Sequence, residues 1–93
     1  MERRILSEDE ITSELKGLDS WEAKEGKLTR HYKFSNFAES LAFVNRVGEI
    51  AEAADHHPDI TFGWGYAEIT TTTHDRGGIT DVDFYLAGKI NGL

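Results

Sequence analysis

One change of rhythm constrains this chain more than any other feature: a long helical pattern lies between two stretches of period two. Phe37, Leu41, Val44, Val47 or Gly48, Ala51 and Ala54 recur at steps of three and four residues. That spacing gathers side chains onto one helix face. Ser35 or Asn36 caps the segment, with Glu39 at box spacing from Asn36, and Pro58 stops whatever follows. The spacing predicts a helix from about Phe37 to Ala54. A helix with one apolar stripe must bury it, and the flanking strands supply the surface.

Upstream, from Trp21 to Phe34, the period is two. Leu28, Arg30, Tyr32 and Phe34 share one face, and Thr29, His31 and Lys33 share the other. Lys24-Glu25-Gly26-Lys27 reads as a hairpin turn between strands near Ser20–Ala23 and Lys27–Phe34. Downstream, Ile60–Tyr66 is aromatic and glycine-rich, and Ala67–His74 contains four consecutive threonines, Thr70–Thr73. β-Branched and aromatic residues of this kind favour a second hairpin. Ser7 with Glu10 forms a capping box that opens a short helix from about Glu8 to Leu15. Gly17 is expected to end it at positive φ. Gly77-Gly78 breaks the last strand, and Thr80-Asp81-Val82-Asp83 starts a final helix striped by Val82, Leu86 and Ile90.

The order is therefore α-β-β-α-β-β-α. It predicts an α+β fold: a single four-stranded antiparallel sheet with three helices on one face. All of residues 1–93 are expected to form one domain, as suits a chain of 93 residues. Its uncovered sheet face and edges make a homodimer or homotetramer plausible.

Composition excludes several functions. Ten basic and seventeen acidic residues give a net charge of −7, with no run of Lys or Arg. Such a chain lacks the electrostatic footprint for direct nucleic-acid binding or for an anionic membrane. With no cysteine there is no disulfide, thiolate metal site or thiol nucleophile. No apolar run approaches the length of a membrane span and the N-terminus turns acidic at once, so a cytoplasmic location is the default expectation.

The chemistry concentrates in Glu52-Ala53-Ala54-Asp55-His56-His57-Pro58, with His74 at a strand end and Asp83 in the first turn of the last helix. Histidine titrates near neutrality, so it gives and takes protons under ordinary conditions. Glu52 and His56 are four apart and would share a helix face if the helix reached that far. Asp83 is expected to face His74 across the Gly77-Gly78 turn. Gly63 and Gly65, around Trp64, are expected to allow a close approach of backbone or ligand.

The combined pattern of Glu52, His56, His57, Pro58, Trp64, His74 and Asp83 resembles that of the pterin-4a-carbinolamine dehydratases. Trp21 with its hairpin, and Phe34 through Val47, resemble the family too, so the likeness covers nearly the whole chain. The resemblance implies a four-stranded antiparallel sheet with three helices on one side. It implies removal of water from 4a-hydroxytetrahydropterin to give the quinonoid dihydropterin, which recycles the cofactor of aromatic amino-acid hydroxylases. No metal and no cofactor is implied. His56, His57 and His74 would be catalytic, with His56 and His74 as the proton-transfer pair and His57 as mainly positioning. Glu52, Pro58, Trp64 and Asp83 would bind the pterin or support the site.

Each residue also has a plainer reading. Adjacent histidines after a helix can cap its C-terminus, Thr80 and Asp83 can be a simple capping pair, and Trp64 can serve packing. Two rival functions follow. One is a metal site built from the same histidines. The other is a binding module, since some relatives act as dimerisation partners of a homeodomain transcription factor or as assembly factors. His31, beside Lys33 on the outer strand face, is expected to have no role in the site.

Overall fold

A computed structural model describes residues 1–93. Its elements run α1 (Glu8–Leu15), β1 (Glu22–Lys24), β2 (Lys27–Lys33), α2 (Phe37–Ala54), β3 (Asp59–Gly63), β4 (Tyr66–Thr71) and α3 (Asp81–Asn91). The four strands form one antiparallel sheet in the order β1-β2-β4-β3. The α+β fold read from the sequence is therefore the fold observed.

The strand rhythm decides the faces. Leu28, Tyr32, Ile60, Ala67, Ile69 and Thr71 point to the side where α2 covers β3 and β4 and α3 reaches β2. Leu28, Ile69, Leu86, Ile90 and Val47 are almost wholly buried there. Each such aliphatic side chain contributes about 1.5–3 kcal/mol by leaving water. The opposite face is polar. On it His31 pairs with Glu68 across the β2–β4 ladder at 2.8 Å, and the Thr29 and Thr70 hydroxyls meet at 3.1 Å. His31 stays at the surface, as expected.

The turns follow from residues that accept positive φ. Glu25 and Gly26 lie at φ 54° and 76°, the pair of values a tight hairpin of the right twist requires. In the second hairpin Trp64 and Gly65 form the turn, so β3 stops at Gly63 and β4 begins at Tyr66, shorter than the runs Ile60–Tyr66 and Ala67–His74. Gly65 lies at φ 80° and its carbonyl accepts from the Phe34 N–H at 2.9 Å. The close approach expected around Trp64 is thus made by backbone.

Two helix details differ from the expectation. Gly17 does not take positive φ. Instead Lys16, Gly17 and Leu18 donate to Ser13, Glu14 and Leu15, tightening the last turn of α1 and satisfying its free carbonyls. The left-handed residue comes later, at Ser20. On α2 the buried row is Ser40, Val47 and Ala51, with Phe43, Ile50 and Ala54 partly covered, while Phe37 and Leu41 stay exposed. Ser40 is tolerated inside because its hydroxyl donates to the Asn36 carbonyl at 3.1 Å. At the start of α1 the predicted capping box forms. The Ser7 N–H, with help from Arg4, holds the Glu10 carboxyl below its usual range.

At the far end of the sheet, Asn91 of α3 accepts from Trp21 Nε1 at 2.7 Å and from Arg30 at 2.5 Å. The Arg30 guanidinium also lies 4.3 Å from the Tyr32 ring centre. Tyr32 packs on Phe43 but its buried hydroxyl has no partner. Burial pushes this phenol above its ordinary value of 10.0, against the opposing pull of Arg30. The unfolded chain therefore loses the Tyr32 proton first, and this group's contribution falls as pH rises above that value. Replacing Tyr32 with Phe removes an unpaired buried hydroxyl. It is expected to leave stability at neutral pH unchanged or raised, by up to about 1 kcal/mol. It should also flatten the alkaline decline. Urea titrations of both proteins at neutral and alkaline pH check both parts.

Candidate active site

The site begins where α2 ends. Asp55 takes the left-handed conformation, φ 51° and ψ 43°, which Asp tolerates better than most residues. The His56 N–H then bonds back to the Ala51 carbonyl at 3.2 Å. This reversal takes the chain out of the helix just before two adjacent histidines. His56 turns inward and is buried, while His57 stays at the surface, followed by Pro58 and the start of β3 at Asp59.

His56 meets Asp83, and this corrects two expected pairings. The helix stops at Ala54, so Glu52 and His56 do not share a helix face. The Glu52 carboxylate instead accepts from His57 Nε2 at the surface. Asp83 does not face His74 either. Its Oδ1 accepts from His56 Nε2 at 2.6 Å and from the Thr71 hydroxyl at 2.6 Å. Its Oδ2 accepts from the Thr73 hydroxyl at 2.8 Å and the Thr80 N–H at 2.9 Å. Asp83 is fully buried, and these four donors match the four acceptor positions of an ionised carboxylate. Asp83 thus combines the helix-cap role and the support of a histidine.

His74 follows β4. Thr73 bonds to Gly78 in both directions across the intervening turn, and Gly77 adopts φ 80° within it. His74 is exposed, and no protein hydrogen bond engages its ring. His56, His57 and His74 line one open cleft of about 280 Å³ together with Arg3, Asp55, Thr72 and Asp75. No apolar side chain belongs to that lining. No three His, Asp or Glu side chains converge closely enough to hold a metal ion. No helix is long and apolar enough to cross a membrane.

The structure does not bring Trp64 to this cleft. It is 71% exposed at the tip of the β3–β4 hairpin. At about 3.3 Å per residue, a strand of this length carries it well away from His57. Pro58 shapes the exit from the histidine pair without lining the cleft.

Sequence reasoning missed Arg3, Thr71, Thr72 and Thr73. The threonine run did carry a signal. Of four consecutive strand residues, two must face inward, and an inward hydroxyl requires a partner. Thr71 and Thr73 find theirs in Asp83. Arg3 carried none, because it lies fifty-three positions from His56.

Comparison with known proteins agrees in extent and in fold. Residues 4–93 match the family described as pterin 4 alpha carbinolamine dehydratase. A protein of Rubrobacter xylanophilus, provisionally named pterin-4-alpha-carbinolamine dehydratase, is 49% identical over 95% of this chain and 83% of its own. One from Picosynechococcus with the same provisional name is 44% identical, over 95% and 96%. The crystal structure of a transcriptional coactivator/pterin dehydratase from Brucella melitensis superposes with a TM-score of 0.90. Its identity is 31%, covering 96% of this chain and 97% of that one. A pterin dehydratase-like RuBisCO assembly factor of the α-carboxysome shares the fold at a TM-score of 0.62 and 23% identity, over 77% and 83%.

Replacing Asp83 with Ala leaves His56, two hydroxyls and a backbone N–H without their acceptor. Removing one partner of a buried pair costs about 3–5 kcal/mol, a large share of what a domain this size has. Thermal and urea unfolding should show that loss, whereas His74→Ala, at an exposed site, should shift stability by less than about 0.5 kcal/mol.

Proposed function

The chain belongs to the pterin 4 alpha carbinolamine dehydratase family, and on that footing we propose that it is a hydro-lyase that removes water from a 4a-hydroxytetrahydropterin. The product is the quinonoid dihydropterin, and the reaction serves to recycle the cofactor of aromatic amino-acid hydroxylases. The observation that carries this reading is the convergence of His56, His57 and His74 on one cleft.

The chemistry needs two proton transfers. The ring nitrogen beside the hydroxylated carbon pushes its electron pair toward that carbon, forming a C=N bond as the C–O bond breaks. Hydroxide leaves poorly, so an acid protonates the departing oxygen and water is released. A base takes the proton from the nitrogen. One proton is given and one received, so the protein ends as it began once the two groups exchange it through solvent.

The geometry favours His57 and His74 for these transfers, in place of the pair His56 and His74. His57 and His74 are exposed at the cleft. Both ring nitrogens of His56 are engaged by protein groups, Nε2 by Asp83 and Nδ1 by Arg3. His56 is then mainly a positioning group. Glu52 supports His57 by accepting its Nε2 proton in a hydrogen bond, which leaves Nδ1 as the nitrogen available to substrate. Trp64, distant from the cleft, has no stacking role in this scheme.

Association into a dimer or tetramer fits the same reading. The edge strands β1 and β3 are uncovered, and Phe37 and Leu41 stand exposed on α2. Those features equally suit a protein-binding role, which would not need the histidines.

Stopped-flow decay of 4a-hydroxytetrahydropterin tests the proposal. The protein should accelerate the decay, and His57→Ala and His74→Ala should each lower kcat by about 10²–10⁴-fold. A rate equal to that of buffer alone would remove the dehydratase reading and leave the binding role.

A further inference from the structure

We propose that Arg3 is a positioning residue of this site, holding His56 as its Nε2–H tautomer and bracing the turn that presents His57. Arg3 Nη1 donates to His56 Nδ1 at 3.1 Å, and Nη2 donates to the Asp55 carbonyl at 2.7 Å. A guanidinium has donors and no acceptor. The nitrogen it faces must therefore be the bare one, and the ring proton sits on Nε2, where Asp83 accepts it at 2.6 Å. The second contact falls on the carbonyl of the left-handed residue Asp55, which immediately precedes His56 and His57.

The placement of Arg3 is built, not incidental to a loose terminus. Leu6 is buried and its N–H bonds to the Ile79 carbonyl at 3.0 Å. Ile5 bridges to Thr80, and the Arg4 N–H donates to Asp81 Oδ1 at 3.1 Å. The Arg4 side chain is held by Glu10 at 2.9 Å. Arg3 itself lies at φ 55°, a conformation that a side-chain-bearing residue keeps where its surroundings hold it. The stretch Ile79–Asp81, which runs into the first turn of α3, thus bears on both nitrogens of His56 through Arg3 and Asp83. It borders Asp83 on one side and anchors the segment carrying Arg3 on the other.

The inference deepens the dehydratase reading and rests on it for its kinetic arm. Two-bond proton–nitrogen correlation spectra of ¹⁵N-labelled protein at neutral pH report each imidazole nitrogen, with His56 assigned by comparison with H57Q and H74Q. The wild-type protein should show His56 as one tautomer, protonated at Nε2. In R3A the Nδ1 signal should move away from the bare-nitrogen position as that atom meets water, and R3K should restore it in part. Kinetically, kcat should fall about tenfold in R3A with KM little changed, and R3K should lie between. A His56 nitrogen pattern identical in wild type and R3A overturns the proposal, as does an R3A enzyme faster than wild type, which would make Arg3 a plug. Should R3A fail to fold, the comparison of R3K with wild type decides in the same way. A wild-type protein that does not accelerate dehydration defeats the dehydratase reading instead, and the nitrogen spectra still decide the positioning role.

Discussion

A carboxylate removed from solvent stands where four segments of this molecule meet. Asp83, in the first turn of α3, accepts from Thr71 on β4, from Thr73 just beyond it, from the Thr80 backbone and from His56 after α2. An isolated charge in such a place would be forced to neutralise. Four donors offset that cost, because hydrogen bonds to a charged group contribute about 1.5–3 kcal/mol each. The bonds have direction, so they also fix how β4, α3 and the end of α2 sit against one another. Aliphatic packing among Leu28, Ile69, Leu86 and Val47 supplies the bulk of the stabilisation but tolerates sliding. The carboxylate network does not.

The same network ties the fold to the site. His56 is oriented by Asp83, and its neighbour His57 is aimed by the reversal at Asp55. A helical continuation would have placed the two rings about 100° apart on one cylinder. The left-handed step at Asp55 ends the helix before both, and beyond it His56 lies buried while His57 stays at the surface, joined to Glu52. Two adjacent identical residues thereby acquire different environments, and environment is what assigns a histidine its chemical role.

Much of this was legible in the sequence, and the reason is local. The bounds of α1 and α2 follow from caps and period, and the turn of the first hairpin follows from Glu25-Gly26. The three histidines, chosen for their chemistry and for the family pattern, do share one cleft. What failed was the pairing. Glu52 with His56 and Asp83 with His74 were inferred from spacing along the chain. The observed partners depend on a single backbone inversion at Asp55 and on how β4 lies against α3. Spacing does not encode either. Trp64 stands off the cleft for a related reason: its place in the motif is a matter of order, while its distance is set by the length of β3. Arg3 depends on the terminal segment docking at Ile79, a contact between the two ends of the chain.

The cleft's polarity narrows what it selects. With no apolar side chain in its lining, burial of hydrocarbon contributes little to binding there. On the dehydratase reading, recognition comes from matching donors and acceptors among His57, His74, Thr72 and Asp75, the lining groups that Arg3 and His56 leave free. Discrimination by such groups is sharp, because a mismatched ligand leaves a polar atom unpaired at about 1–3 kcal/mol. On the same reading affinity is expected to be modest, because each bond replaces one made to water. On the dehydratase reading those two properties belong together. A heterocycle rich in ring nitrogens is distinguished from its neighbours, while the product, altered at one carbon and one nitrogen, is released without a large apolar surface to hold it.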